Sequence, residues 1–191
     1  MEETTSVKPV LMIHEVREWM FDLPLENYVL TFDDGLYSQY YYYPEFAKIP
    51  TQKIYFVSSG VICSGKQSCA FPACSDAHQK AFGGNFEDYM TVHQIKELMK
   101  DPLVEIGGHS HSHTRIQHPR LTDRIAHVMK DTTTMLEWFN TNLGLKPTSF
   151  CFPYNDSVQG MYPALLKRYG FARFYGNERT PIESLLLDIK N

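Results

Sequence analysis

Short, continuous apolar runs alternate along the chain with longer segments whose apolar residues recur at helical spacing. The runs are rich in β-branched and aromatic residues and show little alternation with polar ones. Runs of this kind are typical of strands buried on both faces, as in parallel sheets with crossover helices. We predict seven such strands, at residues 10–13, 28–32, 53–57, 104–106, 148–152, 171–175 and 184–189.

The intervening segments predict four helices. The clearest covers residues 121–143, where apolar side chains recur at i, i+4 and i+7 and Gly144 provides a C-terminal stop. Another begins after Thr91, which forms a capping-box pattern with Gln94. Two more are predicted at residues 161–169 and 37–48. This order predicts an α/β domain whose functional edge lies at the carboxyl ends of parallel strands.

Residues 60–90 interrupt the alternation with glycines, a proline, three of the four cysteines and little periodicity. We interpret this segment as an irregular loop insertion within a single domain spanning residues 1–191, since long loops in compact domains are usually functional. The cysteine spacing matches no common zinc knuckle. Free thiols or one local disulfide fit this spacing better than a structural metal site does.

Composition narrows the classes of partner. A formal net charge of -4 and a pI near 6.0, without a basic run, argue against nucleic-acid binding. No apolar run reaches the ~18 to 20 residues of a transmembrane helix. No export signal is visible at the first residues either, so a cytoplasmic location is the default expectation.

Candidate chemistry begins with Asp33-Asp34-Gly35, which directly follows the second predicted strand. Side chains of successive residues in an extended segment point in opposite directions, so a turn at Gly35 is needed to bring both carboxylates to one site. One carboxylate can then bind a metal ion while the other remains free for proton transfer. The alternative is an ordinary Asp-Gly turn that caps a helix.

Two histidines further along the chain favour the metal site. His109 and His113, spaced i, i+4 after Gly107-Gly108, are expected to share one face of a helical turn and to chelate one ion. Two imidazoles and one carboxylate leave coordination positions open, as in catalytic rather than structural zinc sites. A water molecule in such a site has a lowered pKa, and either Asp33 or Asp34 is its base.

These two segments resemble the first two motifs of the polysaccharide deacetylases of the NodB-homology, carbohydrate esterase family 4 type. Thr31-Phe32-Asp33-Asp34-Gly35 matches T-F-D-D-G, and residues 109–113 match H-[ST]-x-x-H, in the family's order. The resemblance implies a deformed (β/α) barrel with about seven parallel strands. It implies removal of an N-acetyl group from an amino sugar or polysaccharide, or from a small N-acylated substrate. It also assigns Asp33 as base and Asp34, His109 and His113 as ligands of a divalent metal, usually zinc.

The chain departs from the family pattern in two places. The third motif, R-x-P-Y, corresponds to residues 151–154, where Tyr154 retains the backbone amide that stabilises the oxyanion but Cys151 replaces the arginine that orients the base. The C-terminal segment lacks the histidine that acts as general acid. His14, which follows the first predicted strand, is the leading candidate for that role.

These departures leave two other functions open. A protein with this fold that kept the metal site but lost its acid-base groups would be a carbohydrate-binding or regulatory module. Two histidines and a carboxylate also describe the ligand set of non-haem iron oxygenases, although the second aspartate has no evident role there.

Overall fold

In the computed structural model, which describes residues 8–155 and 160–186, seven strands form one sheet. Six of the seven predicted strands are confirmed, with boundaries shifted by up to two residues. The strands are β1 (Val10–Ile13), β2 (Val29–Phe32), β3 (Lys53–Val57), β4 (Val104–Gly108), β5 (Ser149–Cys151), β6 (Arg173–Tyr175) and β7 (Thr180–Pro181).

Every strand pair in the sheet is parallel, in the order β6-β5-β4-β3-β2-β1-β7. All five residues of β3, at the centre, are buried, which explains why the four that follow Lys53 are apolar without alternation. The curled sheet and its helices form a deformed (β/α) barrel, as the motif resemblance implied. The carboxyl ends of β2 and β4 therefore bring residues 33–35 and 109–113 to the same edge.

Six α-helices lie between the strands within the described residues. They are α1 (Tyr37–Tyr41), α2 (Tyr43–Phe46), α3 (Cys74–Phe82), α4 (Val92–Leu98), α5 (Leu121–Leu143) and α6 (Met161–Lys167). The capping box of Thr91 and Gln94 is present, and Gly144 ends α5 with a left-handed φ of 64°. No helix in the described ranges is both long and apolar enough to cross a membrane.

Three local predictions differ from the structure. The predicted helix at 37–48 is broken at Tyr42, because Pro44 cannot donate the backbone hydrogen bond that would continue it. The strand predicted at 184–189 is wrong: the strand that pairs with β1 is β7, and Ile182–Ser184 form a 3-10 turn that buries Ile182 in the core. Residues 187–189 lie outside the described residues. The segment 60–90 contains the nine-residue helix α3.

The end of β4 is packed so tightly that it accepts only glycine. A Cβ at Gly107 would lie 2.5 Å from Ser149 Oγ and 2.6 Å from the Phe56 ring. A Cβ at Gly108 would lie 2.8 Å from the Met135 sulfur of α5. These two glycines let β3, β5 and α5 close around β4, and they fix the point from which His109 projects.

Candidate metal centre and catalytic site

Backbone conformation separates the two aspartates at the end of β2. Asp34 and Gly35 both adopt left-handed conformations, with φ of 75° and 82°. The turn thus begins at Asp34, one residue before the glycine that the sequence indicated. Asp33 and Asp34 are each 1% exposed, and their carboxylates face different partners.

The histidine segment after β4 is not a helical turn, so that prediction is wrong. Residues 109–113 form an irregular loop in which Ser110 and His113 have φ of 64° and 49°. A hydrogen bond from the His113 backbone N–H to Ser110 Oγ stabilises this loop. The left-handed residues, and not helical periodicity, bring His109 and His113 to the same carboxylate.

Asp34, His109 and His113 converge as a metal ligand set would. Asp34 Oδ1 lies 3.2 Å from His109 Nε2 and 2.9 Å from His113 Nε2. Neither contact has hydrogen-bond geometry, and Oδ1 accepts no hydrogen bond from any described residue. Tetrahedral zinc with bonds of ~2.0 to 2.1 Å separates its ligand atoms by ~3.3 Å. The three side chains therefore fit a zinc ion.

The orientation of the His109 ring also suits a ligand. Its Nδ1 lies 2.9 Å from the carbonyl oxygen of Cys151, which leaves Nε2 directed at Asp34. A backbone carbonyl bonded to the second ring nitrogen is a common arrangement for metal-binding histidines, because it fixes the tautomer.

Asp33 is held by an arginine that sequence reasoning missed. Arg179, from the turn before β7, donates from Nη1 to Asp33 Oδ1 and from Nη2 to Oδ2, both at 2.7 Å. The guanidinium is buried and also donates to Thr31 Oγ1 and Asn155 Oδ1. Bidentate pairing of this kind fixes a carboxylate in orientation as well as in charge.

The pair determines the ionisation of the base. Burial raises the pKa of Asp33, but the adjacent Arg179 guanidinium outweighs burial and holds that pKa below its ordinary value. Burial lowers the pKa of Arg179, and the Asp33 carboxylate more than compensates, so this pKa is raised. Both groups are charged near neutral pH, and Asp33 is available as a proton acceptor.

Cys151 stands where the motif resemblance predicts an arginine. Its small side chain leaves room for the Arg179 guanidinium. Its thiol is fully buried, 3.0 Å from Arg179 Nη2 and 3.4 Å from Asp33 Oδ2. A long side chain at residue 151 would compete with Arg179 for Asp33. The Arg179 guanidinium thus binds the Asp33 carboxylate from the turn before β7, and not from the end of β5, where Cys151 lies.

The other two predicted site residues lie at the same edge. His14 Nε2 is 4.0 Å from Asp33 Oδ2, and its side chain is 31% exposed. Tyr154 has a left-handed φ of 60°, its hydroxyl donates to the His113 carbonyl oxygen at 3.1 Å, and its ring packs on that of His113. The structure brings both residues to the candidate metal centre, and their catalytic roles remain predictions.

Helix α3 adds two residues that the sequence pattern did not indicate. Cys74 Sγ donates to Asp34 Oδ2 at 3.0 Å. His78, one turn later, stacks on His113 with ring centroids 4.3 Å apart, and its Nε2 lies 3.5 Å from Asp34 Oδ1. All four cysteines are free, so no disulfide holds this segment in place.

No family model matches the chain, and no curated protein sequence matches it. Several solved structures, by contrast, superpose on it. IcaB from Ammonifex degensii superposes with a TM-score of 0.66 at 21% identity, covering 91% of this chain and 84% of that one. The BpsB deacetylase domain from Bordetella bronchiseptica gives 0.63 at 16% identity, covering 91% and 93%.

A polysaccharide deacetylase from Bacillus cereus gives a TM-score of 0.64 at 12% identity, covering 95% of this chain and 68% of that one. At these identities the likeness is one of fold, and it extends over nearly the whole chain. The chain therefore has the NodB-type fold of the polysaccharide deacetylases, which confirms at the level of the fold the resemblance indicated by its two motifs.

Proposed function

We propose that this protein is a metal-dependent hydrolase that removes an N-acetyl group from an amino sugar or polysaccharide. One observation carries the proposal: a buried ligand set of Asp34, His109 and His113 lies beside a second, separately held carboxylate, Asp33. Many zinc proteins with different functions contain a ligand set of this kind, so the set alone does not identify the reaction. The adjacent ionised base, which is not needed for binding, favours hydrolysis.

A divalent ion held by these three residues, zinc by the choice of donors, would polarise the amide carbonyl and lower the pKa of a bound water. Asp33 takes the proton from the attacking water. Its fixed position matters, because Arg179 binds both carboxylate oxygens from one side. Oδ2 also accepts from the Cys151 thiol, so the second lone pair of Oδ1 is the one left for the proton.

His14 and Tyr154 complete the proposed mechanism. We assign to His14 the delivery of a proton to the leaving amine of the sugar, and its partial exposure and its 4.0 Å distance from Asp33 support this role. The Tyr154 backbone N–H, in the loop after β5, donates to the oxygen that becomes negatively charged during attack. The Tyr154 role comes from the motif resemblance, whereas His14 is the candidate for an acid that the resemblance leaves without a matching residue. The location of both residues at this edge supports these roles.

Arg179 weakens the case for a binding module without catalysis. That alternative depended on two departures, the missing motif arginine and the missing terminal histidine. Arg179 supplies the first function, since it binds the same carboxylate bidentately, and His14 offers a candidate for the second. Asp33 likewise disfavours a non-haem iron oxygenase, in which a paired second carboxylate has no role.

The test is release of acetate from N-acetylglucosamine oligomers by zinc-loaded protein. We expect Asp33→Asn to lower kcat by ~10²-fold or more, as loss of a general base does, while zinc stays bound. Asp34→Asn should lose the zinc itself. His93→Gln, at a histidine whose side chain is 81% exposed, is the control and should retain full activity.

Two outcomes would contradict the proposal. Wild-type protein with zinc bound but no acetate release would favour the binding module. Oxygen uptake that depends on iron and on substrate would favour the oxygenase.

A further inference from the structure

A second cluster of metal-ligating atoms shares Asp34 with the first. Ligand atoms of His14, Asp34 and Cys74 all lie within 4.8 Å of one another. Cys74 Sγ contacts Asp34 Oδ2 at 3.0 Å, whereas His109 and His113 approach Oδ1. Oδ2 of this buried carboxylate thus contacts a thiol, and Oδ1 lies next to imidazoles.

The segments that supply this cluster are tied to each other. The Cys74 backbone N–H donates to Glu15 Oε2 at 3.1 Å, which joins the start of α3 to the residue after His14. Arg17 Nη1 donates to the Phe71 carbonyl oxygen at 2.8 Å, three residues before Cys74. These two hydrogen bonds hold the loop that follows β1 next to the 60–90 segment. They keep the Cys74 thiol and the His14 imidazole near each other.

We propose that His14, Cys74 and Asp34 form a second site for a thiophilic divalent cation, with Asp34 bridging the two ions. Sulfur, imidazole and carboxylate donors suit zinc, cadmium and cobalt. Bonds of ~2.0 to 2.3 Å place ligand atoms ~3.3 to 3.7 Å apart. The three ligand atoms, within 4.8 Å of one another, need only a small side-chain movement to reach that spacing, and the His14 side chain is partly exposed.

Binding at this site replaces one interaction of Cys74 with another. The thiol proton, which is donated to Asp34 Oδ2 in the structure, leaves to the buffer as the sulfur-metal bond forms. Oδ2 then binds the ion instead of accepting from the thiol. No oxidant or reductant takes part.

The second site has a consequence that rests on the proposed function. An ion bound by the His14 ring removes that histidine from the leaving amine, so metal in excess of one equivalent inhibits acetate release. The ion binding does not depend on the catalytic proposal, and it is measured separately.

The experiment is titration of metal-free, reduced protein with cobalt(II), followed by equilibrium dialysis and near-ultraviolet absorption. Wild type is expected to bind two equivalents, the second with a thiolate-to-cobalt charge-transfer band. Cys74→Ser should bind one equivalent and lose the band. Cys69→Ser, at the exposed cysteine of the same segment, is the matched control and should keep both.

Two further variants make the result independent of any one substitution. His14→Gln should also lose one equivalent while it keeps the Cys74 thiol, which covers the case in which Cys74→Ser does not fold. His113→Gln should lose the other equivalent and keep the band. If acetate release is absent while these stoichiometries hold, the proposed function fails and the second site stands.

The proposal is overturned if wild type binds a single equivalent, if the second equivalent persists in Cys74→Ser, or if the thiolate band persists in that variant.

Discussion

At the scale of single residues, the site divides its work between two neighbouring carboxylates. Asp33 pairs with Arg179, and the left-handed Asp34 contacts three imidazoles and a thiol. Neither residue's chemistry is intrinsic, since both are buried aspartates one peptide apart. Their partners decide which carboxylate binds an ion and which accepts a proton.

Arg179 should control the pH dependence of activity. The charge of Arg179 lowers the pKa of Asp33 against the effect of burial. Arg179→Met should therefore move the acid limb of the kcat/KM profile to higher pH. Arg179→Lys, which keeps the charge, should show a smaller shift than Arg179→Met. A pH profile of acetate release checks this. Equal loss at every pH would show that Arg179 acts on structure alone.

The same pair contributes stability that depends on pH. The folded pKa of Asp33 lies below its unfolded value, so the contribution is present above the unfolded pKa and is lost as pH falls through the folded one. In Arg179→Met that contribution disappears. Urea unfolding at neutral and at acid pH should therefore show a larger difference between variant and wild type at neutral pH.

Sequence reasoning could find the metal-binding half of the site, because T-F-D-D-G and the two histidines are local patterns. It could not find Arg179, which follows Asp33 by 146 residues and lies in no recognisable motif. Nor could it find Cys74 and His78, because the nine-residue helix that carries them lies within the segment interpreted as an irregular loop. Contacts made across a barrel edge depend on the whole fold.

At the scale of elements, left-handed residues set the turn after β2 and the end of α5. Gly144→Ala should cost ~1 kcal/mol in the free energy of unfolding, because a Cβ strains the left-handed φ that ends α5. Gly65→Ala is the control, since nothing lies within 4 Å of its Cβ position and its φ is not left-handed. Urea denaturation of both variants tests the difference.

The glycine pair of β4 should tolerate no side chain. Gly107→Ala would press a methyl group against Ser149 and Phe56, and overpacking of this kind costs ~1 to 3 kcal/mol. Because His109 directly follows the last residue of β4, zinc affinity should fall in parallel. An alanine variant with wild-type stability and wild-type zinc affinity would show that neighbouring residues shift without cost.

The strands were the most predictable elements, since burial on both faces leaves a continuous apolar run. The last one was not predictable. Only Leu11 and Met12 of β1 pair with β7, so its two residues carry no pattern of their own. The apolar residues that follow it, including Ile182 and Leu185, pack on the core from a helical turn instead.

At the scale of the whole molecule, the site is an assembly of distant loops. Its side chains come from the ends of β1, β2, β4 and β5, from α3 and from the turn before β7. The order of strands and helices predicted an α/β domain with its functional loops at one edge, and the motif resemblance implied the barrel. Neither predicted which side chains from these loops contact each other.

Zinc should stabilise this assembly. An ion that binds only the folded state at 100 times its Kd adds ~2.7 kcal/mol to the free energy of unfolding. Zinc should therefore raise Tm, and a chelator should reverse the rise. Asp34→Asn, which removes a ligand of both proposed ions, should show neither effect, and a Tm that responds equally in that variant would argue against both sites.

The position of Arg179 in the sequence also constrains the order in which the protein can fold during its synthesis. The ribosome delivers Asp33 146 residues before its partner. Burying a carboxylate without a counter-charge costs several kcal/mol. The nascent chain must therefore keep the end of β2 in contact with water, and this edge of the barrel can close only when the residues around β7 have emerged.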